Sequence, residues 1–155
     1  MAGNGLQMVL LGIRSTDAGF SNVATGLLMA GYYLGLFLGS LGDPHLLNNV
    51  GHVRVFGAMS AIASAAGLMH AAIIDPYVWT IMRILTGFSF AGMYIVCESW
   101  LNDKSTNETR GQMLSLYMII SMGGLGIGQM MISTGADDSM ALFILASVLV
   151  SIAVV

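Results

Sequence analysis

Four apolar runs, at residues 21–41, 52–74, 77–101 and 110–134, recur between short polar breaks, and each is about as long as an α-helix needs to cross a hydrocarbon core about 30 Å thick. In lipid every backbone polar group must be satisfied internally, which leaves helices and closed barrels as the spanning structures. The runs lack the alternation of a barrel strand, so they are predicted to be helices. A chain that is 56% hydrophobic and 8% charged, against roughly a quarter charged in soluble domains, supports the same reading. The expected fold is an all-α, polytopic transmembrane helix bundle.

Two further apolar stretches are partial. Residues 1–13 are too short for a span and lack the basic, cleavable layout of a signal peptide, and residues 140–155 stop in mid-run without a polar flank. The expectation is one membrane domain over 1–155, truncated at both ends. It would hold the end of helix 1, complete helices 2–5 and the start of helix 6. Breaks marked by Asp43-Pro44, Asp75-Pro76 and Ser105-Thr106-Asn107 imply antiparallel neighbours and leave no room for a soluble domain. Ser21-Asn22 and Thr109 suit helix caps, and Pro76 suits a first helical turn.

Basic residues set the orientation. Arg54, Lys104 and Arg110 fall in the breaks at 43–54 and 102–110, whereas the other breaks carry Asp75, Asp137 and Asp138. The first pair is therefore expected on the cytoplasmic side of the membrane, with Arg14, beside Asp17, as the exception. The lipid bilayer is the predicted partner. A net charge of −3 without a basic patch gives nucleic acid nothing to bind.

The fourth span carries the costly groups. Arg83, Gly87, Ala91, Tyr94 and Glu98 lie at offsets of four, eight, eleven and fifteen, within an arc of roughly 80°. Charges inside an apolar span are expensive and usually face a bundle interior or a wet cavity. Arg83 and Glu98 stand about 22 Å apart along the helix, so each needs another partner. Asn4, Gln7 and Arg14 share a face of the first helix, as do Arg110, Tyr117, Ser121 and Gly124 on the fifth, and three such faces can enclose a cavity. The alternatives are that Glu98 ties down Arg54 or Arg110 and that Arg83 bonds backbone carbonyls.

Gly31, Gly35 and Gly39 recur every fourth residue, with Gly42 on the same arc, and Gly124 and Gly128 repeat the spacing on the fifth span. Such strips are expected helix-packing surfaces, either fixed or able to slide.

Other motifs carry no chemistry. Gly87-Phe88-Ser89-Phe90-Ala91 lacks a histidine in its segment and a strand-to-helix setting, and Asn107-Glu108-Thr109 falls on the cytoplasmic side. The thirteen methionines are scattered packing residues and Cys97 is a lone thiol, so neither a metal nor a cofactor is expected, and the chain is not read as an enzyme. His45, His52 and His70 are expected to be solvated or interfacial, and Tyr77, Trp79 and Trp100 to sit in interface belts.

Several blocks together resemble a known family. Arg83-x-x-x-Gly87, Glu98-Ser99-Trp100-Leu101-Asn102, Arg110-Gly111-Gln112 and Val50-Gly51-His52-Val53-Arg54-Val55-Phe56 are similar to the first half of a major facilitator superfamily transporter, in its YcaD-type bacterial branch. The match has departures. Gly39-Ser40-Leu41-Gly42-Asp43 resembles the front of the family's signature loop, but Pro44 follows, and Asn48-Asn49 stands where the acid-base pair belongs. The fifth helix has Gly123-Gly124-Leu125-Gly126-Ile127-Gly128 in place of the antiporter signature with its proline.

The resemblance implies about twelve helices in two halves that rock around a central site. This chain would form most of the N-terminal half and would pair with the missing C-terminal helix bundle. It further implies secondary transport of a small solute, with a proton as candidate coupling ion. Substrate-path candidates are Asn4, Gln7, Arg14, Arg83, Tyr94, Tyr117 and Ser121. Cytoplasmic-gate candidates are Asn48, Asn49, Gly51, Arg54, Glu98 and Arg110. The competing reading is a non-transporting membrane scaffold or half-size subunit that associates through its glycine-rich faces.

Overall fold

The computed structural model describes the backbone of residues 1–134 and 139–153, and the side chains of those residues other than 43–46, 48, 134 and 139. Six helices follow one another: α1 (Ala2–Asp17), α2 (Asn22–Val50), α3 (His52–Ala72), α4 (Pro76–Lys104), α5 (Arg110–Met130) and α6 (Ser139–Ile152). A 3-10 turn, Met131–Thr134, follows α5. There is no strand among the described residues. Helices α2 to α5 are long and apolar enough to cross a membrane, and the chain is a multi-pass membrane protein.

The helix ends differ from the sequence expectation in two places. Helix α1 runs on through Arg14 to Asp17, and α2 continues past Asp43-Pro44 to Val50, where a break was expected. Apolar runs mark where hydrocarbon ends, and a helix need not stop at that border. The chain turns at Gly51 instead, whose φ of +91° is a conformation side chains rarely adopt. Asp137 and Asp138, which contributed to the orientation, lie outside the described residues.

The caps follow local chemistry. The Ser21 hydroxyl accepts from Ala24 N at 3.2 Å, and Asp75 Oδ1 accepts from Tyr77 N and Val78 N at 2.9 and 3.0 Å, with Pro76 opening α4. Thr109 occupies a cap position without bonding its helix, because its hydroxyl pairs with Thr106 at 3.1 Å. Asp75→Ala is expected to lower stability by about 1 kcal/mol, read as a lower unfolding temperature of the purified full-length protein.

Helix α4 packs between α2 and α3, α1 packs between α5 and α6, and α3 meets α6. Exchanging α1 with α4, α2 with α5 and α3 with α6 leaves that pattern unchanged, which is the signature of an inverted internal repeat. The close contacts obey the same exchange. A Cβ on Gly35 would overlap the Ile84 carbonyl and one on Gly87 the Tyr32 carbonyl; likewise Gly5 faces the Leu125 carbonyl and Gly128 the Ala2 carbonyl. Each helix of both seams thus presents a carbonyl and, three residues on, a glycine. Without a strong hydrophobic drive between helices in lipid, such close approach supplies the packing. The α3 to α6 contact is hydroxylic: Ser60 Oγ donates to Val150 O at 2.8 Å, and Ser64 and Ser147 meet at 2.6 Å.

Two aromatic expectations are corrected. Trp79 is not in an interface belt. It is 1% exposed, donates Nε1 to Ile73 O at 2.6 Å and packs edge-on against Phe20 and Phe143. His70 is likewise fully buried rather than interfacial, between Trp79 and Phe143. In both cases a polar tip finds a partner inside the bundle, which removes the need to reach water. Tyr77 and Trp100 are exposed, as belt residues would be. His45 lies outside the described side chains.

Candidate functional site

Helix α4 is the most enclosed of the four long apolar helices, and Arg83 is on its buried side. The guanidinium is 0% exposed, with Cζ 4.5 Å from the ring centroid of Tyr32 on α2. None of Nε, Nη1 and Nη2 has a hydrogen-bond partner, so the option of backbone carbonyls as acceptors is not what the structure has. Thr86 and Ser89 on α4 donate to Met82 O and Leu85 O within their own helix, and neither hydroxyl oxygen accepts from Arg83. Among the described residues, Arg83 has more unpaired buried polar atoms than any other side chain, with its face on the Tyr32 ring.

Tyr32 also receives α1. Asn4 Nδ2 donates to Tyr32 Oη at 2.9 Å while Asn4 Oδ1 stays unpaired. One turn on, Gln7 lies 3.4 Å from His70 Nδ1. That nitrogen is 2.6 Å from Ala66 O, so it carries the proton and leaves Nε2 as an unpaired acceptor. Asn4, Tyr32 and Arg83 therefore form one buried polar group, with Gln7 and His70 as a second one beside α1.

Arg14 is elsewhere. It borders a cavity of about 30 Å³ near the C-terminal end of α1 with His70, Trp79 and Phe143, and stands ten residues from Asn4, about 15 Å along α1.

Along the C-terminal half of α4, Tyr94, Glu98, Tyr117 and Ser121 line a cleft of about 270 Å³ between α4 and α5 that also touches Met1 at the start of α1. Tyr94 also packs against the cluster that contains Tyr32. Glu98 is exposed there and pairs with neither Arg54 nor Arg110, both of which are also exposed. The contact at this end, among the described residues, is His52 Nε2 with Asp103 Oδ2 at 3.9 Å, beside His52 to Ser99 at 3.1 Å. Asn49 is exposed, Gly51 forms the turn, and the Asn48 side chain lies outside the described residues.

The expected packing glycines Gly31, Gly35 and Gly39 are buried, and Gly31 and Gly35 face α4. Gly128 meets α1 backbone, and a Cβ on Gly124 would lie 3.1 Å from the Met1 side chain. Sequence reasoning missed Tyr32 and His70 as members of the polar interior. The available signal for Tyr32 was a mid-span hydroxyl beside Gly31, since buried tyrosines need a partner. Among the described residues no three His, Cys, Asp or Glu side chains gather as metal ligands.

Comparison with known proteins matches the sequence to a family. The model of the Major Facilitator Superfamily matches residues 1–155. An uncharacterized MFS-type transporter of Enterobacter sp. (strain 638) is 29% identical over 116 residues, covering 75% of this chain and 30% of the relative. The MFS-type transporter YcaD of Escherichia fergusonii is 28% identical over 74% of this chain and 30% of its own, and that of Salmonella arizonae 27% identical over 70% and 28%. The chain thus spans about 30% of the length of these relatives. No solved structure matches. With a whole-length family match on a bundle of this helix order, the chain belongs to the major facilitator superfamily.

Proposed function

We propose that the full-length protein carrying this chain is a secondary active transporter that moves a small solute across the cytoplasmic membrane by alternating access. The observation that carries this reading is Arg83, a buried cation without an acceptor, on the helix that borders the cleft. Structural charges in membranes are paired, so an unpaired one marks a path. Asn4, Gln7, Tyr94, Tyr117 and Ser121 extend that path, and Arg14 guards its outer end. Asn48, Asn49, Gly51, Arg54, Glu98 and Arg110 form the cytoplasmic gate. Residues 1–155 supply the end of helix 1, helices 2–5 and the start of helix 6. The rest of the protein supplies the C-terminal bundle.

A solute-uptake screen on the full-length protein in liposomes, with and without a pH gradient, tests the reading. Arg83→Ala is expected to lower uptake of the solute so found by about tenfold or more at normal expression, the weight of one charge-assisted contact. Glu98→Gln, at an exposed rim, should reduce it less and change its pH dependence if a proton is the coupling ion. Unchanged uptake in both variants would sink the assignment. Membership of a transporter family does not favour the scaffold alternative.

A further inference from the structure

The face and the edges of the Arg83 guanidinium are used differently. Its face lies against Tyr32, a cation–π contact, while its N–H edges have no acceptor. Those edges form a planar fork that matches the two oxygens of one carboxylate, and a carboxylate arriving in the guanidinium plane would not disturb the ring contact. Among the described residues no acid pairs with Arg83. Asn4 fixes the Tyr32 hydroxyl and leaves one polar amide atom free beside it, whichever way the amide is turned.

Access and charge narrow the ligand. Tyr94, which lines the cleft of about 270 Å³, packs on the cluster that contains Tyr32, so the cleft approaches the buried group from one side and is of a size for a small molecule. Glu98 at the cleft opposes species with several negative charges, and one guanidinium neutralises one. We infer that Arg83 and Tyr32 form a carboxylate subsite and that the transported solute is a small monocarboxylate. This rests on the transporter reading given above, and it names the substrate class of that site.

The test uses the full-length protein in detergent, with acetate, L-lactate and benzoate as probes against acetamide, lactamide, benzamide and the dianion succinate. At least one monocarboxylate should raise the unfolding temperature by a few degrees, with its amide inert and succinate weaker. Arg83→Lys keeps the charge but loses the fork, and should weaken that response about tenfold in probe concentration. Arg83→Gln should abolish it. Equal responses to acid and amide, no response to any of the three acids, or a response surviving in Arg83→Gln would overturn the subsite.

An acidic side chain from the rest of the protein is the other source of the same chemistry. In that event Arg83→Gln unfolds well below wild type without any probe, and no monocarboxylate stabilises wild type, which also overturns the solute assignment. Should Arg83→Gln fail to fold, the acid–amide comparison on wild type and the Arg83→Lys response still decide. Uptake of a non-carboxylate solute in liposomes would leave the transport reading standing while defeating the subsite. Acid-selective, Arg83-dependent binding with no uptake of any solute would do the reverse.

Discussion

Gly87→Val is expected to force α2 and α4 apart and lower the stability of the full-length protein by about 3 kcal/mol or more. A Cβ at Gly87 would overlap the Tyr32 carbonyl and lie 3.0 Å from Leu36 N, and these are backbone atoms that no rotamer change can move. Gly35 meets the Ile84 carbonyl in the same way, so the seam cannot give on the other side. Relief requires the helices to separate, and dispersion across the whole seam falls steeply with even a small gap. The displacement also shifts Tyr32, and with it the ring against which Arg83 is held. Gly5→Val, at the equivalent place in the α1 to α5 seam, should be comparably damaging. Gly123→Ala is the control. Nothing lies within 4 Å of a Cβ there, so the expected change is a gain of up to about 1 kcal/mol from helix propensity. Thermal unfolding of the purified variants reads all three, and a Gly87→Val protein that melts with wild type would refute the seam.

The spans were legible because hydrocarbon thickness sets a run length that few soluble sequences show. Helix ends were less so: polar residues at 14–17 and 43–50 remain helical, since leaving the hydrocarbon removes the need for apolar side chains without ending the hydrogen-bonded ladder. The glycine strips on α2 and α5 could be read from spacing. Their partners Gly87 and Gly5 gave no such reading as packing positions, because a reciprocal glycine contact is a relation between two helices and each member alone is only a glycine in an apolar run. The inverted repeat is hidden for a similar reason, being carried by contact geometry and not by matching residue types.

The site was legible in the same uneven way. Arg83 announced itself by its charge, but the ring beneath it did not, because a tyrosine in a span reads equally as packing. His70 and Trp79 looked interfacial from their place near a span end, yet His70 Nδ1 and Trp79 Nε1 find the Ala66 and Ile73 carbonyls and both rings stay inside. The expected partners of Glu98 came from proximity of loops in sequence. Proximity of loops does not set the direction of side chains, and the structure places His52 near Asp103 at that end instead.

Arg83→Met is expected to make the full-length protein more stable while removing transport. Taking a guanidinium out of water costs several kcal/mol even after relaxation, and the contact with Tyr32 returns about 2 kcal/mol of it. Methionine is unbranched and of similar reach, so it fills the space against the same ring without a charge to desolvate. Replacing buried charges by apolar side chains of similar volume is commonly neutral or stabilising by about 1–4 kcal/mol, and an unpaired cation belongs at the upper end of that range. The unfolding temperature without solute should therefore rise, whereas Arg83→Lys, which keeps the charge and loses the stacking, should lower it. Solute uptake should fall by about tenfold or more in both. A lower unfolding temperature in Arg83→Met would mean that the cation has an acceptor in the whole protein and serves the fold. The opposite pair of results, higher stability with lost uptake, is what a binding group produces: its desolvation burdens the empty protein and is repaid when the solute arrives.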